Sequence, residues 1–144
     1  MIDTSGEWWV GENADDITEY LVKYSQDKNI DTKQVKCRKC GNDSLYVKLD
    51  YDENAIQVEC PECKHHKIIL DCEDVWEDSE PEIYYCPICR RKTTYNIKVG
   101  FTRRENGSAK WVYIGNMCTA CHTLGSFMDW KIDFEPTDKM ENNI

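Results

Sequence analysis

Eight of the nine cysteines in this 144-residue chain form four pairs, each with two residues between its cysteines. A turn of this kind directs two sulfur atoms to one point, and two such turns supply the four soft ligands that zinc binds in tetrahedral geometry. The spacing therefore predicts two zinc ions per chain. Disulfide bonds or a redox-active pair are the alternative, but no thioredoxin-like strand-helix-strand pattern surrounds any pair. The pairs are Cys37/Cys40, Cys60/Cys63, Cys86/Cys89 and Cys118/Cys121.

The segments between the pairs predict how the pairs combine. Between the first two pairs, apolar and polar side chains alternate on both sides of a turn at 52–54, which is typical of a β-hairpin. The segment between the last two pairs repeats this pattern in a longer hairpin with a turn near 106–107. Each hairpin is then expected to bring its own two pairs to one zinc ion. Crossed pairing, as in a RING domain, is the alternative. Such domains usually have a short gap between the second and third cysteine pairs, whereas this chain has residues 64–85 there.

The sequences around the first three pairs resemble the knuckles of zinc ribbons: CRKCG at 37–41, CPEC at 60–63 and CPIC at 86–89. The resemblance extends over roughly residues 35–125, and it implies a mainly β protein of two zinc-ribbon hairpin modules with rubredoxin-like knuckles. The stretches GEWWVGENADDITEYL and WVYIGNMCTACHTLGSFMDWKIDFEP are similar to a group of small, uncharacterised bacterial double-ribbon proteins. In general character, the chain also resembles immunity proteins of bacterial toxin-antitoxin and contact-dependent growth inhibition systems.

Composition and spacing divide the chain into five segments. The first carries one α-helix that is expected to pack on the first zinc ribbon. An acidic connector joins this ribbon to the second one, which ends in a closing strand, and the polar tail is expected to be flexible. In chain order the segments are 1–34, 35–70, 71–82, 83–135 and 136–144.

A helix is predicted over residues 14–26 of the first segment. Asn13 suits the N-cap position and Asp16 the third helical position, where their side chains can bind free backbone N–H groups. The apolar stripe of this helix is narrow. Trp8 or Trp9, just before the helix, is therefore expected to cover the edge of its contact with the first ribbon. A hot spot for a partner protein is the alternative role of this tryptophan pair.

The closing strand of the second ribbon is predicted from a short alternating pattern. Trp130, Ile132 and Phe134 alternate with charged residues, as in a strand with one buried face. We expect this strand to extend the sheet of the second hairpin.

Charge and hydropathy favour a cytoplasmic protein. No apolar run is long enough to cross a bilayer, and the first residues lack the basic segment and apolar stretch of a secretory signal. Thiols in the cytoplasm stay reduced and can bind zinc. The formal net charge is −9, and each four-thiolate zinc site adds two further negative charges. Only 40% of the residues are hydrophobic, so metal binding is expected to supply part of the free energy of folding.

Four possible metal ligands lie outside the four pairs. Cys72 is expected to be a buried structural thiol, because no cluster of cations accompanies it in the sequence. His65, His66 and His122 closely follow a cysteine pair. Each site already has four cysteines, so we expect these histidines to lie on the surface, with His122 the first candidate if a histidine replaces a cysteine.

The sequence predicts that the protein is not an enzyme. A catalytic zinc site needs an open position for water or substrate, and a site of four cysteines has none. The chain also contains no metalloprotease motif, no phosphate-binding glycine loop and no nucleophile signature.

The acidic connector is the predicted surface for a protein partner. Residues 71–82 contain seven acids and no base, interrupted by Val75 and Trp76. A solvated linker is the alternative, but carboxylates that steer a partner and a tryptophan that anchors it are typical of a binding epitope. The hypothesis is a basic protein partner, such as a nuclease-type toxin that this chain neutralises as an immunity protein. The expected contact residues are Glu73, Asp74, Trp76, Glu77, Asp78 and Glu80.

Nucleic acid is the alternative partner. The second ribbon mixes basic and aromatic residues, a composition suited to phosphate contacts and base stacking. The same aromatic residues could instead form the core of the hairpin while the bases pair with acids of the chain. The basic residues are Arg90, Arg91, Lys92, Lys98, Arg103, Arg104 and Lys110, and the aromatic ones are Tyr95, Phe101, Trp111 and Tyr113.

Overall fold

The computed structural model describes residues 2–144 as two four-stranded antiparallel sheets, which confirms the mainly β fold class. The described helices are α1 (Ala14–Ser25), α2 (Glu73–Trp76) and α3 (Asp138–Glu141). The described strands are β1 (Asp31–Gln34), β2 (Tyr46–Asp50), β3 (Ala55–Glu59), β4 (His66–Ile68), β5 (Glu82–Ile83), β6 (Tyr95–Arg103), β7 (Ala109–Cys118) and β8 (Leu124–Lys131).

The first sheet has the strand order β4-β3-β2-β5 and contains the first predicted hairpin. In β2 and β3, apolar side chains alternate with more exposed polar ones, so Leu49 lies opposite Ile56 on the buried face. Residues 51–54 form the turn, and Asn54 adopts a left-handed conformation with φ 53°. The short strand β5, which begins at the last residue of the connector, forms one outer edge of this sheet.

The second sheet has the order β1-β6-β7-β8 and contains the longer hairpin. β6 and β7 pair along most of their length, with Val99 opposite Ile114, and their connection includes Gly107 with φ 89°. The predicted closing strand is present as β8 and extends this sheet by pairing with β7. It ends at Lys131, however, and Phe134 lies beyond it with 42% of its surface exposed.

Helix α1 packs on the second sheet, not on the first ribbon as the sequence predicts. Its buried residues Ile17 and Leu21 lie over two glycines in adjacent strands, Gly100 and Gly115. A Cβ atom at Gly115 would lie 2.9 Å from Ile17 Cγ2 and 2.9 Å from Leu21 Cγ. The glycines thus create the hollow that the helix fills, and β1 follows the helix into this sheet by pairing with β6.

The predicted start of α1 is confirmed. The Asn13 side chain accepts a hydrogen bond from Asp15 N, and the Asp16 carboxylate accepts hydrogen bonds from Glu12 N and Asn13 N. The Glu12 N–H is the main cause of a lowered pKa for Asp16. Trp9 covers the edge of the helix by contacting Tyr20 edge-on, whereas Trp8 is 54% exposed.

The C-terminal tail is packed, which corrects the prediction that 136–144 is flexible. Met140 in α3 is 4% exposed and belongs to the main core. Asn143 joins the tail to the end of the first ribbon, because its side-chain nitrogen donates to Ile68 O and Leu70 O and its backbone carbonyl oxygen accepts from Leu70 N. These bonds satisfy backbone groups that would otherwise be left without partners.

One hydrophobic core connects the two sheets. Leu45 and Tyr95 exchange two backbone hydrogen bonds of 3.0 and 2.8 Å, and the rings of Tyr95, Tyr84 and Phe127 pack against one another. The two ribbons therefore share buried side chains. Among residues 2–144, no helix has the length and apolar character needed to cross a membrane.

Candidate metal centres

The four cysteine pairs fold into four turns of the same geometry. In each turn the first cysteine donates its N–H to the carbonyl oxygen five residues later, and its own carbonyl oxygen accepts from the N–H four residues later. The residue that directly follows the second cysteine of each pair has a positive φ, which lets the chain reverse at that point. These residues are Gly41, Lys64, Arg90 and His122, with φ of 77°, 62°, 57° and 61°.

The turns meet in pairs, as the sequential interpretation predicts. Among residues 2–144, two groups bring four sulfur atoms to within 4.8 Å of one another. The cross-turn distances Cys37 Sγ–Cys63 Sγ and Cys40 Sγ–Cys60 Sγ are 3.4 and 3.5 Å. The first cluster is Cys37, Cys40, Cys60 and Cys63, and the second cluster is Cys86, Cys89, Cys118 and Cys121.

The sulfur spacing fits tetrahedral coordination. In the second cluster, Cys86 Sγ–Cys121 Sγ and Cys89 Sγ–Cys118 Sγ are 3.7 and 3.8 Å. An ion bound tetrahedrally by four sulfurs at about 2.3 Å separates those sulfurs by about 3.8 Å. A disulfide requires about 2.05 Å between sulfur atoms, so the clusters are arranged for a metal ion and not for cross-links.

Local hydrogen bonds favour the thiolate form of some cysteines in each cluster, whereas burial raises the pKa of Cys86 and raises that of Cys118 to about 12. The backbone N–H of Cys63 lowers the pKa of Cys60 to about 6, and the N–H of Cys40 lowers the pKa of Cys37. Burial opposes ionisation of Cys121, but hydrogen bonds from Thr123 hold its pKa at about 7. Both clusters therefore contain a cysteine that loses its proton readily.

Two buried polar atoms provide an independent test of whether the clusters accept a metal. Among residues 2–144, the buried side-chain atoms without a hydrogen-bond partner are Lys67 Nζ and Tyr95 Oη. Burial and the nearby Arg38 charge lower the pKa of Lys67 to about 8, against the smaller opposing effect of the Cys37 charge. Burial raises the pKa of Tyr95, and the Cys86 charge raises it further. Each unpartnered donor thus lies near enough to one cluster for a cysteine charge to shift its pKa. A donor at such a place can stabilise the double negative charge of four thiolates around a divalent ion.

The sequence predicts neither of these donors as part of a metal site. Tyr95 occupies one of the alternating buried positions of β6, and its ring contributes to the core. Lys67 follows two histidines in a polar stretch and resembles any surface lysine in the sequence. The signal that identifies them is burial without a partner, which only the folded chain provides.

The two clusters differ in their access to solvent. In the first cluster Cys40 is exposed, whereas no cysteine of the second cluster is. Cys118 is 1% exposed and pairs with Tyr95 across β6 and β7. The second cluster is therefore more closely integrated with the core than the first.

The remaining cysteine and the histidines lie outside both clusters. Cys72 is 1% exposed, and its thiol donates to Asn54 O at 3.3 Å. Burial raises the pKa of Cys72 to about 12, which is the state of an unreactive structural thiol. Within the described chain, His66 and His122 are exposed and His65 is half-buried, and none of them belongs to a ligand group.

The acidic connector is partly ordered by α2 and β5. The five predicted contact carboxylates are exposed: Glu73, Asp74, Glu77, Asp78 and Glu80. Trp76 is half-buried and lines a cavity of about 490 Å³ with Lys48 and Lys92. Its ring is thus beside lysines as well as acids, and its role as a partner anchor stays a prediction.

The basic residues of the second ribbon differ in their partners and in their exposure. Arg103 makes ion pairs of 2.6 Å with both Asp31 and Glu141, so it joins β6 to β1 and α3. Arg104 donates to Ala109 O at 2.7 Å and to Ile132 O. Arg90, Arg91, Lys92 and Lys110 are exposed.

The remaining members of the mixed pattern also serve the fold. Lys98 donates to Thr18 Oγ1 at 2.8 Å, on helix α1. Tyr95 and Phe101 are 1% and 0% exposed, so neither ring is available to stack on a base. Trp111 is half-buried and donates to Asp129.

The shared turn geometry yields a stability prediction. Lys64 has a left-handed backbone conformation, which is strained for a residue with a Cβ atom but not for glycine. Lys64→Gly is therefore expected to stabilise the metal-loaded protein by about 0.5–1 kcal/mol. Gly41→Ala, at the matching position of the first turn, is expected to destabilise it by about 1 kcal/mol. Thermal unfolding at constant metal concentration measures both. A lower Tm for Lys64→Gly would show that its side chain contributes more than its backbone costs.

The fold and its sites define a mainly β protein with two four-cysteine clusters that could each hold a metal ion. No protein-family model, curated protein or solved structure matches this chain. The resemblance to toxin-system immunity proteins therefore has no support from relatives.

Proposed function

We propose that the protein is a non-enzymatic zinc protein that uses two structural zinc ions to present an acidic surface to a basic protein partner. Four sulfur ligands in tetrahedral arrangement favour zinc, and their spacing in both clusters supports this choice. When bound, each ion would hold two turns of one ribbon together. Cys37, Cys40, Cys60 and Cys63 would hold the first ion, and Cys86, Cys89, Cys118 and Cys121 the second.

A structural role for the metal follows from the ligand set. Each cluster offers four thiolates, which fill the tetrahedral positions and leave none for substrate or water. The chain's own residues support this role: backbone N–H groups donate to the Cys60 sulfur, and the buried, unpartnered donors Lys67 Nζ and Tyr95 Oη each feel the charge of a cysteine of one cluster.

The observation that carries the choice of partner is the distribution of unpaired charge. Glu73, Asp74, Glu77 and Asp78 are exposed and make no ion pair within residues 2–144. Among the seven basic residues of the second ribbon, Lys98, Arg103 and Arg104 form ion pairs within residues 2–144, whereas Arg90, Arg91, Lys92 and Lys110 are exposed and form none. Since the formal net charge is −9, carboxylates dominate the long-range field of the protein, which speeds the approach of a basic protein and slows that of nucleic acid.

An immunity role is the specific form of this proposal. A nuclease holds phosphates in a cationic cleft, so an inhibitor with clustered carboxylates can occupy that cleft and exclude the substrate. The connector 71–82 has this character. In the proposal, the protein neutralises a basic, nuclease-type toxin in the cytoplasm of the bacterium that makes it.

Chromatography on two charged matrices tests the choice of partner. Zinc-loaded protein is expected to be retained by immobilised protamine, an arginine-rich protein, and to pass through heparin at physiological salt. Neutralising four connector carboxylates in E73Q/D74N/E77Q/D78N is expected to lower the salt concentration needed for elution from protamine. The local density of charge, not only its sum, sets this strength.

A variant with the same change in net charge is the control. E7Q/E19Q/E59Q/E105Q removes four exposed carboxylates outside the connector, and it is expected to elute closer to wild type. Identical elution of the two variants would place the partner surface elsewhere. Retention on heparin that is lost in R90Q/R91Q/K92Q would support the nucleic-acid alternative instead.

A further inference from the structure

A groove of about 380 Å³ lies along the outer edge of the first sheet. Its walls come from the end of β2, the following turn, and the connector around β5. We call it the β5 groove, and the lining residues used below are Asp50, Tyr51, Asp52, Glu80, Glu82 and Ile83.

The β5 groove exposes apolar surface. Tyr51 is 55% exposed and Ile83 is 38% exposed, although both are large hydrophobic side chains. Two such side chains in one concavity provide a place where a partner can bury an apolar side chain.

The charge around this apolar surface selects the partner. Asp52, Glu80 and Glu82 are exposed, make no ion pair within residues 2–144, and line the groove. No lysine, arginine or histidine lines it, although Lys48 lies opposite Ile83 in the adjacent strand. An acidic ligand would be repelled, whereas arginine or lysine side chains would find carboxylates on both sides of the apolar surface.

The shape of the groove is fixed before a ligand arrives. The Asp50 carboxylate accepts hydrogen bonds from Glu80 N at 2.8 Å and from Asp52 N at 2.9 Å. The connector and the hairpin turn are therefore held by the same side chain. A wall that is already ordered loses little conformational entropy on binding.

The edge of the sheet offers backbone pairing. β5 is the outermost strand in the order β4-β3-β2-β5, and within residues 2–144 no strand pairs with its other side. A free edge can accept an added strand, and the flanking charges exclude strands that are apolar or acidic.

We infer that the β5 groove binds an extended basic segment of the partner protein, which adds to β5 as a strand. Its apolar side chain packs on Tyr51 and Ile83, and its neighbouring arginine or lysine side chains bind Asp52, Glu80 and Glu82. This inference rests on the proposed function, because it identifies where the basic partner is anchored.

Fluorescence anisotropy with a labelled heptapeptide that alternates arginine and valine tests the inference. Zinc-loaded wild-type protein is expected to bind this peptide, and Tyr51→Ala and Glu82→Lys are each expected to weaken binding by about tenfold or more. Of two such peptides, each with N-methyl groups on one alternating set of amides, one is expected to lose binding, because its methylated amides are those that would donate hydrogen bonds to the edge of β5. Zinc content and thermal unfolding confirm that both variants are folded.

Trp8→Ala is the matched control, since Trp8 is 54% exposed but lies on the N-terminal segment. It is expected to bind the peptide like wild type. Wild-type affinity in Tyr51→Ala and Glu82→Lys, or no binding by the wild type at millimolar peptide, would overturn the inference. Protamine retention separates the two proposals: if it persists while the peptide result fails, only the groove assignment is lost.

Discussion

Replacing Cys118 with serine is expected to remove one zinc ion and to unfold the second sheet. Cys118 is buried at the end of β7, where it pairs with Tyr95 in the shared core. Binding of structural zinc contributes about 10–16 kcal/mol at neutral pH, as much as or more than the whole stability of a typical domain, which is about 5–15 kcal/mol. Loss of one thiolate therefore removes more free energy than the remaining core can replace.

Elemental analysis and near-ultraviolet circular dichroism measure this outcome. Wild-type protein purified under reducing conditions is expected to contain two zinc ions and no iron. Cys72→Ser is the matched control, because the serine hydroxyl can still donate to Asn54 O, and it is expected to keep both ions. Full zinc content in Cys118→Ser, or loss of zinc in Cys72→Ser, would overturn the assignment of ligands.

A second large effect is expected for Leu21→Ala, which tests the position of helix α1. Leu21 is fully buried against Gly100 and Gly115, and truncation of such a side chain costs about 2–5 kcal/mol. Urea unfolding measures the loss. Hydrogen exchange locates it, and faster exchange is expected in β6 and β7 than in β2 and β3.

Glu19→Ala is the control on the same helix. Glu19 is exposed, so its replacement is expected to change stability by less than about 0.5 kcal/mol. If Leu21→Ala accelerated exchange in β2 and β3 as much as in β6 and β7, the helix would stabilise both sheets equally.

Features encoded by nearby residues could be predicted from the sequence. The metal clusters follow from a spacing of two residues within each pair, which fixes the direction of two sulfurs. The first hairpin follows from alternation, and the start of α1 follows from Asn13 and Asp16, three residues apart. In each case the interacting groups lie within one turn or one hairpin.

Features that depend on distant residues could not be predicted. The stripe of Ile17 and Leu21 shows that α1 has an apolar face, but either sheet could cover it. The deciding residues are Gly100 and Gly115, which in a sequence appear only as weak strand formers. Similarly, the partners of Arg103 lie in β1 and α3, far away in the sequence, so the arginine appears free.

The pairing of β1 with β6 has a consequence for synthesis of the chain. Asp31 lies opposite Phe101, and the entire first ribbon is made between them. Helix α1 and β1 therefore leave the ribosome before any strand that they contact, whereas β2 and β3 can pair as soon as their hairpin emerges. The first ribbon is expected to fold before the N-terminal segment has any strand of the second sheet to pack on. The second sheet is complete only after β8 has been translated.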